Sequence, residues 1–563
     1  MAANDAEPLS KHHERIRRRG VHPVVYWITR VVLQPAIHLW FRLSRTGHEH
    51  IPRRGGVLLA ANHRSFLDPF VIGCCVRRPI YFVAKRELFD NRLIGWYLNC
   101  LGAFPIRRGE SDQDAMETAR LLLERGHAVV IFPEGTRIRS GSLGRPKRGV
   151  GRLALETGVP VVPIAVHGTE HARRGWRIRP VKVRIRCGRP LTFPRVERPS
   201  AHLAGEVTAR LWPCVTLQWE WLGGLPPLRK AAIVGAGSMG TAMAKLLARA
   251  GLEVQLGCRT AAQAREIAQA RRNERYLPGV ELPESVRVAA VDDIELRGVD
   301  LVVLAVGSRD LPAVVGKLGS SIGDRSAVLV LSKGLVGPLG TLPTRYVAER
   351  VKARAVACLG GPAHAQEAVE VGASVVLASE DPDLLGQLGD VLAKAGLDVL
   401  RTDDVTGTEL AACAKNVAAL AAAAAVAVGD DGGQAGGMNA AGAVAGRLFG
   451  EIHDLAVAAG ARSDTFVGLA GTGDLVATAL AEGSRNRRAG ELLGRGVGAE
   501  EANGIVGQVA EALDTVPLLA QAARERGREA PAIASLAELV EGRIDPQEWV
   551  AGVCSPRRAV RAA

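Results

Sequence analysis

The sequence predicts two α/β units in tandem followed by an all-α unit, and three observations predict it. Tryptophan is concentrated at the front: seven of the eight fall before Leu222, and alanine and glycine dominate after it. Directly beyond that break, "KAAIVGAGSMGTAMAKLLARAG" reads as an apolar strand, a glycine turn and a helix. From about Thr406 the strand-like runs stop and helical spacing takes over. At 563 residues the chain is too long for one core. The expected divisions are 1–222, a linker at 223–229 in the Gly/Pro stretch "WEWLGGLPPLRK", 230–405 and 406–563.

The net charge of +14 invites anionic partners. Nucleic acid is disfavoured, because no stretch interleaves aromatics and basic residues as single-strand readers do and no groove-reading motif is present. The nine cysteines contain no CxxC pair, so a disulfide framework or a metal site is not expected, and a reducing cytoplasm fits. The basic N-terminus lacks the apolar stretch and small-residue cleavage site of a signal peptide.

The first unit opens with "HPVVYWITRVVLQPAIHLWFRLSR", within a helix expected over 20–45. Its aromatics and flanking arginines suit a bilayer interface or a packed core equally, and Pro35 is expected to interrupt it. The strand "GGVLLAANH" then leads into "NHRSFLD". If the chain turns after the strand, Asp68 can fix the tautomer of His63 and leave the other ring nitrogen to take a proton from a hydroxyl. That spacing alone is common by chance, and a surface histidine beside a helix-capping aspartate has the same pattern. Three further blocks follow it: "GAFPIRRG", the strand and glycine turn "VVIFPEGTRIRSG", and the buried strand "GVPVVPIAVHG".

These four blocks in this order resemble the glycerolipid acyltransferases that act on glycerol-3-phosphate and 1-acylglycerol-3-phosphate, over about residues 40 to 200. The resemblance implies His63 and Asp68 as the catalytic pair. It implies acceptor-phosphate binding by Arg107, Glu134, Gly135, Thr136 and Arg137, with Pro163 as the proline of the fourth block. The donor implied is acyl-CoA or acyl carrier protein. Arg108, Arg139, Arg145, Lys147 and Arg148 read as a solvated or lipid-facing rim.

In the second unit Gly235, Gly237 and Gly240 form GxGxxG between strand and helix, where a Rossmann fold places a dinucleotide pyrophosphate. The following strand ends in Arg259 where NAD sites place an acid, which favours NADPH over NADH. "AVLVLSKGL" puts Lys333 at a strand's carboxyl end, on the ligand side of an open α/β sheet. The most apolar run, "ELAACAKNVAALAAAAAVAVG", is too short between charges to span a bilayer, and is expected to be a buried helix that holds the amine of Lys415.

The succession "GAGSMGTAMA", "NERYLPGVELP", "SKGL", "GGPAHAQE", "KNV", "GLAGTGDL" and "SRNRR" resembles NAD(P)-dependent glycerol-3-phosphate dehydrogenase over about residues 229 to 540. The resemblance implies Lys415 as catalytic acid/base and substrate contacts at Lys333, Gly361, Asp474, Ser484, Arg485 and Asn486. It implies cofactor contacts at Gly235, Gly237, Ser238, Met239, Gly240, Arg259, Lys333, Ala365, Arg485, Val509 and Glu511. The chain departs from the family at Ala363, Met239, Gly446–Leu448 and Ala512.

Together these readings imply a bifunctional enzyme of phospholipid-precursor synthesis, cytoplasmic and peripheral on the inner face of the cell membrane. It would reduce dihydroxyacetone phosphate to glycerol-3-phosphate and transfer an acyl group to that product or its 1-acyl form. Two alternatives stay open, a degenerate dehydrogenase half that serves as scaffold or nucleotide sensor, and a non-catalytic membrane-surface protein. A homodimer is also left open.

Overall fold

The computed structural model describes residues 6–106, 112–138, 141–430, 436–481, 483–507 and 509–554. The chain divides into two compact units, Met1–Pro227 and Leu228–Ala563.

The first unit is built on a seven-stranded sheet. Its strands are β1 (Ser44–Thr46), β2 (Val57–Ala61), β3 (Ile80–Lys85), β4 (Ala103–Ile106), β5 (Ala128–Ile131), β6 (Val161–His167) and β7 (Arg184–Cys187). They lie in the order β1-β7-β6-β2-β5-β3-β4, parallel throughout except for β6 against β7. Every residue of β2 is buried, which is why the central strand reads as an unbroken apolar run and not as an alternation.

Two helices precede the sheet, α1 (Ala6–Arg19) and α2 (Pro23–Trp40). Pro23 starts α2 at a position where its missing N–H costs nothing, and His22 caps it by accepting from Val25 N. The expected break at Pro35 does not occur. The helix continues through it because Tyr26, Ile37 and the following Phe41 stay buried, at the expense of one backbone bond. The outer face of α2 carries Val24, Trp27, Ile28, Val31, Val32, Leu39 and Trp40, all exposed. It meets the helix Arg92–Cys100 through a Thr29–Tyr97 hydroxyl bond of 3.0 Å, and that helix exposes Leu93, Ile94, Trp96 and Tyr97.

The second unit contains an eight-stranded sheet and a helical half. Its strands are β8 (Lys230–Val234), β9 (Glu253–Cys258), β10 (Val286–Ala290), β11 (Leu301–Leu304), β12 (Ala327–Val330), β13 (Ala355–Gly360), β14 (Ser374–Ala378) and β15 (Asp398–Thr402). The order is β10-β9-β8-β11-β12-β13-β14-β15, with β14 antiparallel to β13. The strand order reverses at β8/β11, where a doubly wound sheet opens a crevice at its carboxyl edge.

After β15 the helical half begins at once with the long helix Val405–Asp430. Among the described residues it is the one helix long and apolar enough to cross a membrane, and 89% of its apolar window is buried inside the unit. Its alanines serve close packing against the helix Arg485–Gly494. A Cβ on Gly490 would sit 2.0 Å from Leu420 O, and one on Gly494 would sit 2.3 Å from Ala424 O. Those two glycines let the helices touch backbone to backbone.

Candidate active sites

In the first unit the chain leaves the carboxyl end of β2 at Asn62. Its amide ties β2 to β6 by accepting from Val166 N (2.7 Å) and donating to Val166 O (2.9 Å). His63 follows, its ring stacked on Phe132 at 4.1 Å. Asp68 opens the helix α3 (Asp68–Cys75) and is wholly buried. Its Oδ2 accepts from His63 Nδ1 at 2.8 Å and from the backbone N–H groups of Arg64 and Ser65, each at 2.7 Å. Its Oδ1 accepts from Thr169 Oγ1 at 2.6 Å. With the proton on Nδ1 directed at Asp68, the basic lone pair of His63 is on Nε2.

A second ring of contacts holds this loop to the glycine turn after β5. Glu134 accepts from His63 N (2.5 Å) and Gly144 N (2.7 Å), and Ile138 N donates to His63 O at 2.9 Å. Arg64, 1% exposed, donates to Ile138 O (2.9 Å) and Gly141 O (2.5 Å) and lies 4.7 Å over the ring of Trp219. Burial pushes the Glu134 carboxyl up to about 7, against the pull of its two N–H donors and Arg64.

In the second unit the turn after β8 follows the glycine logic closely. Gly235 has φ +109°, and a Cβ on Gly240 would stand 1.9 Å from Gly235 O, so neither position tolerates a side chain. Gly237 has open space where its Cβ would be, and it leads into the helix Ser238–Arg249 with no side chain capping the first N–H groups. An uncapped helix start behind a bare glycine is a cradle of the size and polarity a pyrophosphate takes, so the residues present fit a dinucleotide. Asn273 braces the turn by donating to Ala236 O (2.9 Å) and Thr241 Oγ1 (2.7 Å). Arg259, just beyond β9, is exposed, and among the described residues no carboxylate forms an ion pair with it.

At the carboxyl edge of the same sheet lies a buried charge cluster. Asp474 is 2% exposed; its Oδ2 accepts from Lys333 Nζ at 2.9 Å and its Oδ1 lies 3.1 Å from Lys415 Nζ. Lys415, 7% exposed, also donates to Thr478 Oγ1 at 2.8 Å, and Lys333 Nζ lies 3.5 Å from Gly361 O. Burial, with Lys333 beside it, pushes the Lys415 ammonium down to about 8, and Asp474 recovers part of that drop. Burial by itself raises the Asp474 carboxyl, but the two lysines outweigh it and leave it below the usual range. Such a site can deliver a proton from Lys415 near neutral pH.

Comparison with known proteins agrees with both descriptions. Residues 230–385 and 404–551 match the models of the N-terminus and C-terminus of NAD-dependent glycerol-3-phosphate dehydrogenase. A glycerol-3-phosphate dehydrogenase [NAD(P)+] of Chelativorans sp. is 34% identical over 314 residues, which are 55% of this chain and 92% of the relative. That of Variovorax paradoxus is 37% identical over 340 residues, 58% of this chain and 96% of the relative. The chain belongs to this family. A crystal structure of the dehydrogenase from Coxiella burnetii aligns with a TM-score of 0.54 at 30% identity, over 59% of this chain and all of that one. Residues 42–167 match the Acyltransferase model, so the glycerol-3-phosphate dehydrogenase half is preceded by an acyltransferase domain.

The structure brings His63 and Asp68 together, and likewise Lys333, Gly361, Asp474 and Lys415. Gly135 is in the left-handed region at φ +70°, with Thr136 exposed and Arg137 half-buried beyond it. Arg107 lies outside the described residues. Glu134, expected as a substrate contact, is buried and accepts from two backbone N–H groups, so it clasps the loop. Pro163 is buried within β6 opposite Ala60, part of the sheet and not of the site surface.

In the dehydrogenase half Ser484 spends its hydroxyl capping the helix Arg485–Gly494, and Asn486 accepts from Ala512 N at 3.2 Å. Arg485 is exposed at that helix start, and its charge acts on the nearby Glu511 carboxylate. Glu511 accepts from Ser308 N (3.0 Å) and Lys333 N (3.1 Å), so it ties together the segments that follow β11 and β12. Met239 and Ala365 stand in the first turns of the helices Ser238–Arg249 and Ala365–Glu370, and Val509 is half-buried next to Glu511. Sequence reasoning missed Thr169, Arg64, Thr478 and Asn273. Asn273 and Arg64 had a signal, as members of the quoted "NERYLPG" and "NHRSFLD" blocks.

Proposed function

We propose that the second unit reduces dihydroxyacetone phosphate to sn-glycerol-3-phosphate. The first unit then transfers an acyl group from a thioester to the hydroxyl of that product or of its 1-acyl derivative. The observation that carries the reading is the pair of buried proton-transfer centres, one built to remove a proton and one built to donate it.

In the dehydrogenase half a nicotinamide cofactor, held by the glycine turn at Gly235–Gly240, would supply the hydride. Lys415 protonates the oxygen that becomes negative at the substrate's central carbon, and its lowered basicity suits a donor that works near neutral pH. Asp474 and Thr478 fix the direction of that ammonium, and Lys333 adds a second cation toward the substrate. Arg485, exposed at the start of its helix, is the phosphate partner. Arg259, likewise exposed at the end of β9, favours the 2′-phosphate of NADPH.

In the acyltransferase half His63 Nε2 takes the acceptor's hydroxyl proton as the oxygen attacks the thioester carbonyl. Asp68 stabilises the imidazolium that forms, and the proton passes to the departing thiolate. Arg137 and the glycine turn at Gly135 supply cationic and N–H partners for an acceptor phosphate. The exposed apolar face of α2 and of Arg92–Cys100 supports peripheral contact with a bilayer, where a lipid acceptor resides.

The test is product analysis after dihydroxyacetone phosphate, NADPH and an acyl thioester are supplied together to the full chain. Glycerol-3-phosphate and its acylated form are expected to accumulate in that order. NADPH oxidation without any acyl ester would sink the acyltransferase assignment, and acyl ester formed only from added glycerol-3-phosphate would sink the reductase assignment.

A further inference from the structure

At the edge of the first unit's sheet opposite His63 there is a cavity of about 320 Å³. It lies where β2 and β3 begin, and it is walled by the loop His48–Arg53 and the segment Cys75–Arg78 that follows α3. The helix α3 therefore joins two ends of the unit, with Asp68 at its start and this cavity at its finish. The volume is within the range of small-molecule sites, about 300–1,000 Å³.

The walls are strongly cationic. Arg53, Arg77 and Arg78 line the cavity with His48, and Glu49 is the one carboxylate among the lining residues. Glu49 is two-thirds exposed and lies 3.4 Å from His48 Nδ1, so it faces the histidine at the rim. Among the described residues no carboxylate comes within ion-pair distance of Arg53, Arg77 or Arg78. Arg78 donates one bond, from Nη1 to Gly126 O at 2.9 Å. Its Nε and Nη2 are shielded from solvent and have no hydrogen-bond partner. Two shielded donors left idle on this half-buried guanidinium are costly unless an acceptor reaches them.

The carbonyl end of α3 does not consume this charge, because other arginines already serve it. Arg45 donates to Cys74 O at 2.8 Å, and Arg30 donates to Val76 O at 2.7 Å. Arg30 belongs to α2, on the same turns as the exposed Trp27, Ile28 and Val31. The cavity wall is thus tied to the helix whose outer face is apolar.

We infer that this cavity is a second anion site of the acyltransferase domain, with a phosphate group as its ligand. Planar guanidinium forks grip the tetrahedral oxygens, and Arg78 Nε and Nη2 make the central bonds. The phosphate belongs either to a lipid headgroup at the surface that α2 faces or to a soluble phosphate ester. The site is separate from the acceptor site at Gly135–Arg137, which lies at the opposite edge of the sheet.

Crystals of the full chain soaked in selenate provide the test, because an anomalous peak reports position as well as binding. A peak within the arginine cluster is expected, and Arg53→Gln/Arg77→Gln should remove it. Both residues are exposed, and among the described residues neither side chain has an ion-pair partner, so the double variant is expected to fold, and the electron density of the first unit in the variant crystals checks that. Absence of the peak in the wild type, or its survival in the variant, overturns the proposal. Sedimentation with phosphatidate-containing vesicles then separates the two sources. Weaker binding of the variant, about fivefold per arginine or ~1 kcal/mol each, identifies a headgroup site. Unchanged vesicle binding with the selenate peak lost identifies a soluble phosphate ester.

Discussion

Both halves of the molecule bury a carboxylate almost completely, and they satisfy it in opposite ways. Asp68 is surrounded by dipoles: two backbone N–H groups, a hydroxyl and one imidazole N–H. Asp474 is surrounded by full charges, the ammonium groups of Lys333 and Lys415. Dipoles orient a base without competing for its proton, which is what His63 needs. Charges set a proton's affinity, which is what Lys415 needs as an acid. The difference teaches that the chemistry is chosen by the carboxylate's partners, since the carboxylates themselves are alike.

The largest effects should come from removing the groups that carry protons. His63→Ala is expected to lower acyl transfer by about 10²–10⁴ and leave NADPH oxidation intact, while Lys415→Ala does the reverse. Assaying both reactions on both variants checks this, and an unchanged reductase rate in Lys415→Ala would remove that lysine from the mechanism.

Neutralising each carboxylate probes the comparison itself. Asp474→Asn leaves the buried Lys415 ammonium and the half-buried Lys333 ammonium facing an amide and should cost about 3–5 kcal/mol of stability. Asp68→Asn loses charge among dipoles only and should cost about 1–3 kcal/mol. Urea unfolding of the two variants decides whether the order holds.

Acidity gives the next test. Lys415 is an ammonium below about pH 8 and an amine above it, so reduction should decline as pH rises through 8, while the reverse oxidation rises. Its stability contribution has the opposite trend. The folded-state value lies below the ordinary 10.5, so the unfolded chain binds more protons between the two, and this group's contribution improves across that window. A pH–rate profile of dihydroxyacetone phosphate reduction reads the first effect directly.

Smaller effects sharpen the dipole side. Thr169→Val removes one of Asp68's donors and should lower acyl transfer about tenfold, near the net value of one hydrogen bond, with recovery in Thr169→Ser. Arg259→Ser should raise the Km for NADPH about fivefold and leave that for NADH unchanged, the loss of one charge-assisted contact. Equal Km changes for both cofactors would refute a 2′-phosphate role.

Much of this was legible in the sequence because the motifs are local. GxGxxG, NHx4D and the lysine of "AKNV" occupy single turns, and spacing reports their geometry. What was not legible depends on residues brought together from far apart. Thr169 reaches Asp68 across 101 positions and Glu134 reaches His63 across 71, so neither spacing signals the contact. The clasp that Glu134 forms was hidden for that reason, since its motif block implied only a ligand. Pro35 was misread for another, because burial of neighbouring side chains outweighed the loss of one backbone bond.

The glycine seam between the helix Val405–Asp430 and the helix Arg485–Gly494 acts as a gauge block. It sets the spacing between the helix that bears Lys415 and the helix whose first residue is Arg485, with Leu420 O and Ala424 O as the stops. One added methyl at Gly490 would hold the jaws open, and a substrate clasped by its phosphate would then hang short of the proton it needs. The alanine-rich run that resembles a membrane span is therefore a measuring surface, tolerant of few substitutions along its length although none of its alanines touches the chemistry.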